Sequence, residues 1–394
     1  MHDIPMVSTQ MDSIDQWWLA LKIHELAEPG SSEFKSVELL CSILASSGFS
    51  VSRNYLGIPT AFRAELSVGS GQPSIAFLAE YDALPGIGHA CGHNLIASAA
   101  VFSAIGAAQR IRNGRIMVIG TPDEEGSGVY SGSKAILAER GAFSDVDVVL
   151  GSHPGDEWDV GKGSLAVQDI EIVFHGKAAH ESATPDSGRS ALDAAILAFT
   201  GVNMLRQHVR RDANVVIHGI IKEGGSASNV TPDKAVMIYG LRSSDTSYLQ
   251  SVISRFRYVI EGAAHATETT FEFNLRGPLF STTKVNIPLA AKIREHIIEK
   301  GHQIMEIEQA LKEQPGGSTD FANVSQTVPA IEVGYRIAPA GTPWHSHQSL
   351  EAAKSPLARA ALSEIIEILV ETAAEFTEDE EFRKQVKLDF SIRT

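Results

Sequence analysis

The chain has 394 residues, 43% hydrophobic and 21% charged, enough for two or three domains with a sizeable core and no disulfides needed to fold. Its 33 Lys and Arg against 48 Asp and Glu leave a formal net charge of −15, which argues against a general nucleic-acid or anionic-membrane binder. No apolar run approaches the ~20 residues of a membrane-spanning helix. The opening MHDIPMVSTQMDSIDQWW lacks a signal-peptide pattern, and Cys41 and Cys91 make no disulfide framework, so a cytoplasmic setting is expected.

Along the chain, IDQWWLALKIHELAE has helical spacing, and a second helix is expected from Glu33 to about Ser47. Three short apolar runs follow, SIAFLAE (74–80), RIMVIG (115–120) and VDVVLG (146–151), with the content of buried strands. Helical stretches separate them. NLIASAAVFSAIGAAQRI has Asn94 in position to cap its start and small residues for tight packing; SGSKAILAERGAF is the second. This alternation predicts an α/β domain, a mainly parallel mixed sheet flanked by helices. The middle reads as VQDIEIVFHG, a helix through SALDAAILAFTGVNMLRQHV, NVVIHGIIKEG, AVMIYGLRSS, a helix near 247–264, and TFEFNLRG. Strand–helix–strand–strand–helix–strand predicts a ferredoxin-like α+β domain, here over 165–277, inserted into a larger domain of 1–164 and 278–394. The last third gives a helix (NIPLAAKIREHIIEKG), a turn (PGGSTDF), a strand (VPAIEVGY) and a terminal helix from about Ser355.

In open α/β sheets, sites form beyond the carboxyl ends of the strands. The first run is followed by Asp82, Cys91 and His93, the second by Glu124 and Glu125, the third by His153. In HACGH (89–93) a thiol and an imidazole flank a glycine, a pair that suits a borderline-soft divalent ion such as zinc. The plainer alternative is a buried cysteine beside two polar loop histidines; three strand ends bearing such groups weigh against it. In TPDEEGSG (121–128) adjacent residues point in different directions, so one glutamate can ligate metal while the other serves an activated water as general base. WHSHQ (344–348) offers His345 or His347 to close the shell, whereas His24, His208, His265, His296 and His302 fall on predicted helices as surface or core residues. A nucleotide-binding reading is disfavoured, because PGIGHACG and EEGSGVYSGS give neither GxGxxG nor a Walker A pattern.

EYDALPGIGHACGHN, TPDEEGSG, SHPG, HGKAAHES, GGSASNVTPD, GGSTDF and WHSHQ, spread over residues 76–348, occur in the order and approximate spacing of the M20 metallopeptidase/amidohydrolase family. The pattern most resembles its aminoacylase-like branch, with auxin-conjugate hydrolases, aminobenzoyl-glutamate hydrolases and M20-domain dipeptidases. The resemblance implies a large catalytic domain with an inserted lid through which the chain homodimerises. It implies Cys91, His93, Glu125, His153 and His345 as ligands of two divalent ions, most simply Zn2+ with Mn2+ or Co2+ as alternatives. Glu124 matches the general base, and Asp82 the carboxylate that orients a ligand. His180 matches a histidine reaching the partner's active site to stabilise the oxyanion, and Asn229 and Arg242 match substrate-holding positions. Where many members carry His-x-Asp, this chain reads Glu80-Tyr81-Asp82, a loss that Cys91 and His93 are expected to offset. The implied activity is hydrolysis of the amide bond of N-acyl amino acids, aminobenzoyl-glutamate-like conjugates or dipeptides. The contrasting reading is a non-catalytic metal-binding or regulatory relative, against which an intact Glu124 speaks.

Overall fold

The computed structural model describes residues 14–393, so the opening stretch weighed above for a signal peptide lies largely outside the described residues. In chain order the elements are α1 (Gln16–Leu26), α2 (Phe34–Ser46), β1 (Ser50–Arg53), β2 (Phe62–Val68), β3 (Ser74–Ala79), α3 (His93–Arg110), β4 (Gly114–Gly120) and α4 (Ser133–Glu139). There follow β5 (Val148–Gly155), β6 (Asp159–Val160), β7 (Ala166–His175), α5 (Ala191–Leu205), β8 (Val216–Glu223), β9 (Lys234–Ser243), α6 (Thr246–Ala266) and β10 (Thr270–Phe280). The chain then gives α7 (Ile287–Glu299), α8 (Ile307–Ala310), α9 (Phe321–Thr327), β11 (Ala330–Arg336), α10 (His347–Ala352), α11 (Pro356–Glu378) and α12 (Glu380–Ile392). They divide into two units: one runs to Gly163 and includes Thr283–Gln314 and Asp320–Thr394, the other comprises Ser164–Thr282 and Pro315–Thr319.

The first unit is built on a seven-stranded sheet of order β1-β2-β4-β3-β5-β11-β6. Its centre, β4-β3-β5-β11, is parallel, and the flanking β1, β2 and β6 run antiparallel. Because successive side chains alternate, β3 sends Ile75 and Phe77 into one core layer and Ala76 and Leu78 into the other. A strand buried on both faces must read as a continuous apolar run, which is why the parallel strands stand out in the sequence. α3 presents Ala97, Ala100, Ala104 and Ala107 to the larger layer, and a Cβ on its Gly106 would come within 2.9 Å of Val370 on α11.

Two expectations for this unit are corrected. Asn94 does not cap α3: Gly92 holds the cap position at φ 82°, and Asn94 is buried inside the helix, its amide donating to the carbonyls of Ala20 and Ala353. The terminal helix is two helices, because the Asp379 side chain accepts a hydrogen bond from the Phe382 backbone N–H and so caps a new start.

The second unit is a four-stranded antiparallel sheet of order β10-β7-β9-β8 with α5 and α6 packed on it. Ile170, Ile172 and Phe174 of β7 alternate inward, meeting Ala198 and Val202 of α5 and Phe256 and Ile260 of α6. Among the described residues, no helix is long and apolar enough to cross a membrane.

Candidate metal centre

The parallel strands β4, β3 and β5 are neighbours, so their carboxyl ends deliver three loops to one edge of the sheet. β3 runs into Glu80 and Asp82, and the loop beyond turns at Gly92 to start α3 with His93. A Cβ at Gly92 would lie 2.5 Å from Pro154, the residue after His153 on β5, so glycine lets Cys91 and His93 approach His153. Cys91 Sγ is 3.6 Å from His153 Nε2. The donor atoms of Cys91, His93 and His153 all lie within 4.8 Å of one another, as do those of Cys91, Glu125 and His345. Glu125 spans the two groups, with one oxygen 4.0 Å from His93 Nε2 and the other 3.6 Å from His345 Nε2. His345 is half-exposed in the loop after β11, while His347 begins α10 and belongs to no such group among the described residues.

The supporting contacts fix orientation. Fully buried His93 donates from Nδ1 to the carbonyl and to the carboxylate of Asp82, 3.0 Å each, which leaves Nε2 as the atom that could meet a cation. The other Asp82 oxygen accepts from the Glu125 backbone N–H at 2.9 Å. Burial would raise the Asp82 carboxyl, yet His93 and that N–H hold it below the usual range. The DEEG loop is anchored by Asp123, itself at φ 58°, which accepts from Gly128 N, Tyr130 N and Ser31 Oγ. Glu124, freed from that task, brings Oε2 to 3.6 Å from His93 Nε2.

The residues suit a divalent cation on their own chemistry. Glu80 Oε2, Glu125 Oε1 and His93 Nε2 are buried, face one another and make no hydrogen bond. Burial keeps His153 neutral, as a ligand requires, and pushes the Cys91 thiol up to about 12, so its thiolate forms only with a cation beside it. One sulfur, several imidazole nitrogens and carboxylates match a borderline-soft ion.

Sequence reasoning missed Lys134, Asp320 and the part played by Glu80. Lys134 is fully buried on α4, 2.9 Å from Glu80 Oε1 and 2.5 Å from Asp320 Oδ1. Glu80, expected from the sequence to be a lost ligand, has its other oxygen 3.3 Å from His93 Nε2. Only the charged residue at the end of an apolar run hinted at it.

In the second unit, exposed His180 pairs by a β-bridge with Val230, and the Glu181 N–H donates to the Asn229 carbonyl at 3.1 Å, so His180 and Asn229 adjoin. Arg242 is a half-buried residue of β9, an inner strand, and donates to Ser318 Oγ at 3.0 Å.

Residues 76–375 match the model of Peptidase family M20/M25/M40. The Xaa-Arg dipeptidase of Mus musculus is 37% identical over 77% of this chain and 72% of its own length, and the human Xaa-Arg dipeptidase 34% over 85% and 79%. A p-aminobenzoyl-glutamate hydrolase chain of Escherichia coli K12 is 36% identical over 64% of this chain and 56% of its own length. Among solved structures, YxeP of Bacillus subtilis, described as a dinuclear metal binding peptidase from the M20 family, superposes with a TM-score of 0.64 at 22% identity, covering 92% of this chain and 97% of that one. With three quarters of its length matched and the fold shared, the chain belongs to peptidase family M20/M25/M40.

Proposed function

We propose that this amide-bond hydrolase is metal-dependent and cleaves N-acyl amino acids, aminobenzoyl-glutamate-like conjugates or dipeptides. The observation that carries the reading is the convergence of Cys91, His93 and His153, from two strand ends, within 4.8 Å. Cys91, His93, Glu125, His153 and His345 would hold the cations, Zn2+ most simply. Bound there, divalent cations would supply Lewis-acid chemistry, lowering the pKa of a water and polarising the scissile carbonyl.

The chain's own residues do the rest. Asp82 holds the His93 ring in one orientation. Glu124 is the base: it takes the proton of the attacking water and returns it to the leaving amine. Burial pushes its carboxyl well above the usual range, and the nearby Lys134 ammonium works against that rise. Asn229 and Arg242 hold the substrate, and His180 of the partner subunit stabilises the oxyanion.

The test is a panel of N-acyl amino acids, aminobenzoyl-glutamate and dipeptides, including ones ending in arginine, run with and without chelator and after reconstitution with Zn2+, Mn2+ or Co2+. Hydrolysis that chelation abolishes is expected. Glu124→Gln should keep its metal by elemental analysis and lose at least ~100-fold in turnover. Near-normal turnover in that variant removes Glu124 as base, and a chelator-insensitive wild type removes the metal.

A further inference from the structure

Glu80 directly follows β3 with 2% of its surface exposed, and its two carboxylate oxygens serve different neighbours. Oε1 accepts the ammonium of Lys134 at 2.9 Å, and Oε2 stands 3.3 Å from His93 Nε2 without a hydrogen bond. Lys134 already has a counter-charge. Asp320 takes its ammonium on Oδ1 at 2.5 Å and its backbone N–H on Oδ2 at 3.0 Å. One ammonium faces two buried carboxylates, and Oε2 of Glu80 is the oxygen turned toward His93 instead of Lys134. His93 turns Nδ1 to Asp82, so Nε2 faces Glu80 Oε2 at 3.3 Å and Glu124 Oε2 at 3.6 Å, and the donor atoms of these three residues lie within 4.8 Å of one another. Carboxylates gathered around one ring nitrogen in a largely buried site call for positive charge among them.

We propose that Glu80 is a cation ligand of this centre, alongside His93, and that Lys134, anchored by Asp320, is the residue that positions it. The inference rests on the metal-dependent reading above and extends it to a side chain standing where many relatives place a histidine. Lys134 fixes one oxygen and thereby aims the other. A carboxylate here adds negative charge, which offsets the positive charge of the cation more fully than an imidazole would.

The experiment is titration of the metal-free protein with Co2+, following the d–d absorption and the thiolate-to-cobalt charge-transfer band, with thermal unfolding as the control for folding. Glu80→Gln keeps the size of the side chain and leaves the Lys134–Asp320 pair intact. It should fold, bind Co2+ at least ~10-fold more weakly and shift the d–d bands while the band from Cys91 persists. Lys134→Met should weaken binding by ~10–100-fold, with Lys134→Arg recovering part of the loss. If Lys134→Met does not fold, Glu80→Gln decides alone. Co2+ affinity and d–d bands equal to wild type in Glu80→Gln overturn the inference and leave the metal-dependent reading standing. A folded wild-type protein that takes up no Co2+ overturns both.

Discussion

Glu33 shows how burial turns an ordinary carboxylate into a stability switch. Its side chain is fully buried, one oxygen accepts the Asp123 N–H at 2.9 Å and the other has no hydrogen bond. Burial, helped by the charge of Asp82, pushes its carboxyl from 4.5 to about 7. The folded chain therefore keeps a proton that the unfolded chain gives up. The stabilising contribution is whole below pH 4.5 and is lost as pH rises through 7, a change of about 3 kcal/mol. Glu33→Gln imitates the protonated form. It should match wild type near pH 4.5 and exceed it at pH 8 by up to about 3 kcal/mol in denaturant titrations. An equal offset at both pH values would show that Glu33 titrates as an ordinary surface acid. At this scale, the closeness of Cys91, His93 and His153 was legible because three strand ends in a row carry such groups, not from the HACGH motif alone. Glu80 and Lys134 were not, because both are common residue types whose meaning comes from burial. Lys134 in SKAIL resembles any solvent-facing helix lysine until Asp320, 186 positions away, closes over it.

Elements carry the site by how closely they pack. The turn at Gly92 combines a left-handed backbone with a carbon position 2.5 Å from Pro154. Gly92→Ala must therefore strain the turn, by about 1 kcal/mol, and push the Cys91–His93 loop away from His153. We expect at least a ~10-fold loss of Zn2+ affinity by competition titration, since ligands tolerate displacements of only about 0.5 Å. Gly106→Ala makes the contrast. It crowds Val370 at 2.9 Å where α3 meets α11, so it should lower the melting temperature while leaving Zn2+ affinity intact. Equal affinity in Gly92→Ala and wild type would mean that the loop absorbs the change. The same packing explains what could be read in advance. β3, β4 and β5 each carry an unbroken apolar run (75–79, 116–119 and 148–150) because core layers cover both faces, whereas β2 (FRAELSV) gives no such signal because its outward positions carry charge. Arg63 on β2 is tied to Asp145 at 2.7 Å, a pairing no local pattern announces.

For the whole molecule, the expected homodimer sets a test of how two copies would divide the chemistry. Among the described residues, β8 is an outer strand of its sheet, and Val216, Ile220 and Ile221 on it are exposed. An outer strand bearing apolar side chains is a natural pairing surface, which supports the expected homodimer. Light scattering should give twice the chain mass. Dimerisation alone says nothing of shared sites, but two inactive variants can. On the proposed roles, Glu124→Gln removes the base and His180→Ala the oxyanion donor, so each variant alone should be nearly inactive. If His180 acts across the dimer, a mixed dimer rebuilds one site: Glu124 of the His180→Ala chain meets His180 of the Glu124→Gln chain. After an equal mixture exchanges subunits, half the dimers are mixed and ~25% of sites should regain wild-type turnover, as two-fold symmetry requires. If His180 serves its own chain, every site in the mixed dimer lacks one group and the mixture stays inactive. Exchange confirmed by tagged subunits, with no activity recovered, would therefore remove the trans role while leaving the metal centre and Glu124 untouched.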